Sequence, residues 1–234
     1  MQDAGRKKID RRMRDLSGKY DTVVFDLDGT LMDTLEDLAN AVNEILRRNG
    51  YPVRTIKEVR RIVGNGLRQT LRLCLPEGTD EAVVEKLLPE FAAYYQEHCQ
   101  IKTKPYDGIE DTLRELCARG YKLAIVSNKR DEAVKTLNRE CFEKYVKVAI
   151  GENESAGIRK KPAPDTVYQA IRELGSEREK TVYVGDSEVD KMTADNAGLP
   201  CISVDWGFRD REELEKLKPA HLISRPEELL EILC

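Results

Sequence analysis

Histidine is scarce in this chain: only His98 and His221 occur in 234 residues. Neither lies beside a candidate nucleophile, so a serine–histidine hydrolase is unsupported. The six cysteines, at 74, 99, 117, 141, 201 and 234, never form Cys-x-x-Cys. That excludes a recognisable zinc site and gives no disulfide framework. Reduced core thiols and a cytoplasmic location are the expectation. No apolar run approaches the roughly 20 residues that span a bilayer. The first nineteen residues lack the apolar core of a signal peptide. Gly-x-x-x-x-Gly-Lys is missing, so Gly64-Asn65-Gly66 is no phosphate-binding P-loop, and no Gly-x-Gly-x-x-Gly follows the first strand. A strong positive charge is lacking too. The net charge of -4 and the pI near 5.5 argue against electrostatic nucleic-acid binding.

What is present describes a globular protein able to bury a core, with 40% hydrophobic and 35% charged residues. Residues 1–19 form a polar, mostly basic extension, read as a solvated arm. From about Leu31 to Gln100 the apolar spacing is helical. Leu35, Leu38, Ala39, Val42, Ile45 and Leu46 mark one helix, which Asn49-Gly50 ends. Thr55 and Glu58 form a capping box for the next. A later helix over Asp80 to His98 is expected to break near Pro89. These segments predict a small α-helical bundle at 34–103.

From Pro105 onward helices alternate with strands at Lys122–Val126, Val146–Ile150, Thr181–Val184, Cys201–Val204 and His221–Ile223. That alternation predicts an α/β fold: a Rossmann-like parallel sheet with helices on both faces. The strand at 22–26 belongs to the same sheet, so the core comprises 20–33 and 104–234, with the bundle inserted after the first strand. Ligands of such sheets bind beyond the carboxyl ends of the strands.

The chemistry-bearing residues fall at those ends. Asp26-Leu27-Asp28-Gly29-Thr30 follows the buried run Thr22-Val23-Val24-Phe25. An extended backbone puts Asp26 and Asp28 on one face, about 7 Å apart. Two acids so placed need a cation between them. Gly29 permits a tight turn, and Thr30 adds a hydroxyl and an N–H. Ser127-Asn128 follows a second strand and offers a hydroxyl and an amide to an oxyanion, or is an ordinary turn pair. Asp186 and Asp190, after a third strand, lie one helical turn apart, as metal ligands or as cap and helix-start charges. Lys161 is held extended by Pro162 and can be aimed at a fixed anion, or belongs to a solvated basic loop. Carboxylates from two strand ends make an all-oxygen site suited to Mg2+.

These four motifs, in this order, resemble those of the haloacid dehalogenase-like superfamily of phosphotransferases, over about residues 20 to 230. The resemblance implies that Asp26 is the nucleophile, forming an aspartyl-phosphate, and that Asp28 is the general acid and base. It implies Mg2+ on Asp26, Asp186 and the backbone carbonyl of Asp28, with Asp190 direct or through water. Ser127, Lys161 and the amide of Asn128 would hold the phosphoryl group with Gly29 and Thr30. The second acid, Asp28, favours phosphoryl transfer over dehalogenation.

Asp33, Val63-Gly64-Asn65-Gly66 and Trp206-Gly207 make the chain most similar to the phosphoglycolate phosphatase group. The expected substrate is a small phosphoester, first 2-phosphoglycolate, with no nucleic acid or membrane partner and a monomeric or homodimeric state. Pyrophosphatase, nucleotidase and sugar-phosphate phosphatase or mutase activities are the alternatives, and a non-catalytic binding module the remaining one. In the helical cap, Asn65 and Arg68 are candidate specificity residues. Arg68 either pairs with a substrate carboxylate or is a surface arginine.

Overall fold

The computed structural model describes residues 18–153, 155 and 157–234; the basic extension lies almost wholly outside them. Strand β1 (Thr22–Phe25) is followed by a two-residue strand β2 (Met32–Asp33). Four helices come next: α1 (Leu35–Arg48), α2 (Ile56–Ile62), α3 (Leu67–Cys74) and α4 (Glu81–His98). Strand β3 (Lys104–Pro105) returns the chain and pairs antiparallel with β2, making a two-stranded ribbon at the neck of the insert. Then follow α5 (Ile109–Ala118), β4 (Lys122–Arg130), α6 (Asp131–Leu137), β5 (Val148–Glu152), α7 (Asp165–Glu173) and β6 (Thr181–Gly185). The chain closes with α8 (Glu188–Ala197), β7 (Cys201–Val204), α9 (Arg211–Lys216), β8 (His221–Ile223) and α10 (Glu228–Leu233).

Six strands form one parallel sheet in the order β5-β4-β1-β6-β7-β8. Side-chain alternation divides its residues between two cores. Val23 and Phe25 pack with Ile109 and Leu113 of α5 and Leu229 of α10, while Val24 packs with Val167 of α7 and Ala194 of α8. The sheet is therefore helix-covered on both faces. β1 lies between β4 and β6, where the strand order reverses, so the carboxyl ends of these three strands open on one crevice.

The helical insert has its own apolar cluster, including Val42, Ile45, Leu71, Val84, Phe91 and Tyr95, and Phe208 from the core joins it. Asp37, buried in α1, accepts backbone N–H bonds from Lys102 and Thr103 at 2.8–3.0 Å, tying the two crossings of the neck together. Three local expectations change. Helix α4 runs unbroken through Pro89, its register held by buried Val84, Leu87, Phe91 and Tyr95. β4 continues past Val126 to Arg130, taking Ser127 and Asn128 into the strand. β5 begins at Val148 rather than Val146, whose N–H is drawn back to the Phe142 carbonyl at the end of the preceding helical segment.

Candidate active site

Asp26 is the first residue beyond β1, and its N–H is held by the Val184 carbonyl of β6 at 2.9 Å. Its carboxylate meets Lys161 Nζ at 2.7 Å, and the same ammonium lies 2.8 Å from Asp190. Lys161 and Asp190 are almost fully buried. Asp190 is saturated: Oδ1 accepts from Lys161 and from the Tyr183 hydroxyl at 3.0 Å, and Oδ2 from the Ser187 N–H and hydroxyl at 3.1 and 2.6 Å. Ser187 is also the N-cap of α8, forming a capping box with Asp190, so the cap reading and the site reading are both true of these residues.

Asp186 stands opposite. Its carboxylate accepts the Phe208 N–H at 2.7 Å and the Thr30 hydroxyl at 3.2 Å. Two glycines make room for it. Gly29 has φ +86°, and a Cβ there would meet an Asp186 oxygen at 2.4 Å; one on Gly207 would meet the Gly29 carbonyl at 2.3 Å.

One oxygen from each of Asp26, Asp186 and Asp190 lies within 4.8 Å of the others. Three carboxylates thus face one ammonium. Burial, then repulsion by Asp190, pushes the Asp26 carboxyl well above its usual range despite Lys161. The same two causes push Asp186 up to about 7, against the Phe208 amide. Asp190 is also raised by burial, but Lys161, Ser187 and Tyr183 outweigh this and hold it low. Two carboxyls whose ionisation is disfavoured, facing one another across a buried cluster of oxygens, fit a divalent hard cation, which would supply the missing positive charge. With Asp190's lone pairs taken, Asp26 and Asp186 are the carboxylates free to hold it.

Asp28 does not share a strand face with Asp26. β1 ends at Phe25, and Asp28 instead forms an isolated bridge with Met32. Its carboxylate, partly open to solvent, accepts from Ser127 Oγ at 3.4 Å and pairs with Lys129 Nζ at 3.2 Å. The two acids therefore have a lysine each, where a single cation between them was expected. Asn128 turns its side chain inward: Oδ1 accepts the Lys161 N–H at 2.8 Å, and Nδ2 donates to the carbonyls of Lys161 and Gly64 at 3.1 and 3.3 Å. It locks the lysine's backbone and carries the Gly64-Asn65-Gly66 turn of the insert, where Asn65 is half-buried.

Three expected ligand contacts are used otherwise. The Gly29 N–H donates to the Met32 carbonyl, and the Thr30 hydroxyl serves Asp186, so both support the site's frame. Arg68 is exposed and bonded to Glu85 at 2.8 Å and Glu81 at 2.7 Å on the outside of the insert. Lys129, Tyr183 and Arg209 were not anticipated. β4 runs on to Arg130 with an irregular register after Val126, and there the Lys129 N–H bonds to Ser127 Oγ at 3.1 Å while both side chains reach Asp28, contacts hidden by ending the strand at Val126. Arg209, in a charged stretch that reads as surface, is buried. It clasps Glu188 through two bonds of 2.7 and 2.8 Å and donates to the Arg60 and Val63 carbonyls of the insert.

Comparison with known proteins agrees with this arrangement. The family model for haloacid dehalogenase-like hydrolase matches residues 23–204. A phosphoglycolate phosphatase of Aquifex aeolicus is 34% identical over 90% of this chain and 95% of its own length. One from Pseudomonas syringae pv. tomato is 32% identical over 86% and 75%. The crystal structure of a Lactobacillus delbrueckii protein superposes with a TM-score of 0.86 at 37% identity, covering 92% of this chain and 99% of that one. With the strand order, the three-carboxylate cluster and the matched span in agreement, the chain belongs to the haloacid dehalogenase-like hydrolases.

Proposed function

We propose that this cleft hydrolyses a small phosphate monoester, 2-phosphoglycolate first among them, with Mg2+ and through an aspartyl-phosphate. The protein is a phosphoric monoester hydrolase in this reading. The observation that carries it is the division of labour between two acids. Asp26 is held against Lys161 within the carboxylate cluster, and Asp28 is held apart from it by Ser127 and Lys129.

Asp26 Oδ attacks phosphorus, and the P–O bond to the leaving oxygen breaks with its electron pair on that oxygen. Asp28 gives the leaving oxygen its proton, then takes one from the water that hydrolyses the acyl phosphate. Lys161 orients Asp26 and offers charge to the transferring group. Ser127 and the backbone amide of Asn128 line the same strand end. Asp26, Asp186 and the Asp28 carbonyl would hold the metal, which would supply positive charge against the repulsion between nucleophile and phosphate. Asp190 fixes Lys161 and Ser187. Relatives named phosphoglycolate phosphatase support the substrate choice.

The test is phosphate release from 2-phosphoglycolate, pyrophosphate, nucleoside monophosphates, sugar phosphates and flavin mononucleotide, with Mg2+ and with a chelator. Metal-dependent release is expected, and Asp26→Asn should lower it by on the order of a thousandfold or more. Silence across the panel sinks the reading. Isomerised sugar phosphate with little free phosphate makes the protein a mutase.

A further inference from the structure

Lys129 has no part in the four motifs, yet its ammonium is bonded both to Asp28 and to the insert. Its side chain is 9% exposed. Nζ lies 3.2 Å from Asp28 Oδ1 and 2.8 Å from the hydroxyl of Tyr95, and stands 4.7 Å from the centre of that ring. Tyr95 belongs to α4 of the insert and is itself buried in the insert's apolar cluster. Burial, before any charge, raises its hydroxyl to about 12, so it is neutral and can accept from the ammonium. Asp28's carboxylate thus has two handles. Ser127 and Lys129 both come from the last stretch of β4, and Lys129 is in turn fastened to the insert.

We infer that Lys129, braced by Tyr95, is a positioning residue that aims the Asp28 carboxyl at the leaving oxygen. The inference rests on Asp28 being the acid of the proposed hydrolysis. In this role Lys129 acts through Asp28 rather than on the transferring group. The geometric reason is that Asp28 has lost its place in β1 and is partly open to water, so a side chain at that position has several rotamers unless a partner selects one. A lysine has three donors on one nitrogen. With one on Tyr95 and one on Asp28, the ammonium cannot swing without breaking a bond to the insert or to the acid. Seating the insert and aiming the acid become one event, and an unseated insert leaves Asp28 without direction.

A positioning role and a merely structural one differ in their dependence on the leaving group. An alkoxide needs the proton from Asp28 as the P–O bond breaks, whereas acetate leaving from acetyl phosphate does not. Two phosphoryl donors of similar size separate the cases: 2-phosphoglycolate, or the alkyl phosphate turned over best, and the mixed anhydride acetyl phosphate. Lys129→Met should lower kcat/KM, which reports the steps up to departure of the leaving group and not the later hydrolysis both substrates share, by about a hundredfold on the alkyl ester and by less than about tenfold on acetyl phosphate. Tyr95→Phe, which keeps the ring and the packing, should show the same preference at about fivefold on the alkyl ester. Equal fractional losses of kcat/KM on both substrates in both variants overturn the inference while the phosphatase reading stands. A wild-type protein inactive on both substrates, and on the wider panel, overturns the phosphatase reading and the inference with it.

Discussion

Asp26 and Asp28 are two residues apart in sequence, yet they sit in different regions of the cleft. The floor holds Asp26, Asp186, Asp190 and Lys161, all buried at the ends of β1 and β6 or the loop beside them. Its oxygens are bonded to neighbours that the sheet itself places. The wall holds Asp28, partly exposed, with Lys129 from β4 and Tyr95 from the insert. Floor charges are constrained by low dielectric and by a surplus of donors. Wall charges are constrained by how two separately packed parts of the chain meet. In the proposed reaction, nucleophilic attack draws on the first region and proton delivery on the second.

Three changes sharpen or break that contrast. The largest effect belongs to Lys161→Met, which strands Asp26 and Asp190 without their shared cation. Stability should fall by about 3–5 kcal/mol, because an unpaired buried charge remains. In a chain of this size that is a drop in Tm on the order of 10 °C. Lys129→Met, whose partner Asp28 keeps some water, should fall much less. Equal losses by thermal denaturation would erase the distinction between floor and wall.

The next effect is on pH dependence without metal. Burial and Asp190 raise Asp186 to about 7, so between the ordinary carboxylate range and about 7 the folded state keeps a proton that the unfolded state releases. That contribution is present below the carboxylate range and is lost as pH rises through about 7. Mg2+ bound at this cluster would displace the same proton, so its gain in Tm should be greater at about pH 8 than at about pH 5.5. The reverse order in paired melts would remove Asp186 from the metal set.

The smallest effect belongs to Arg68→Ala. Arg68 is 47% exposed and tied to Glu81 and Glu85, so kcat and KM for every ester should change by less than about twofold. A selective loss for phosphoglycolate would return specificity to the outside of the insert.

The sheet was legible because its strands are short apolar runs with Gly and charged punctuation. β7 and β8 lie where the pattern puts them, and β1 differs by one residue. The β2–β3 ribbon was not legible: two residues at Met32 and two at Lys104 carry no periodicity, and their pairing spans some seventy residues of chain. Helix α4 crosses Pro89 because the contacts of its buried face are invisible to a propensity argument. Within the site, Asp26, Asp186, Asp190 and Lys161 could be named from strand ends and local restraint. Tyr95 and Arg209 could not, since an aromatic at helical spacing and an arginine among charged neighbours have ordinary explanations.

The residue types and their order along the chain determined by themselves that carboxylates, a lysine and a hydroxyl would gather at the ends of parallel strands. A buried strand has one direction and one end, and the sheet brings such ends together. Tertiary structure alone decided how the two acids of Asp26-Leu27-Asp28 are held. One is drawn into a buried cluster by Lys161. The other is turned toward Lys129 and the insert, because β1 stops one residue before the first acid and the pleat no longer governs the second.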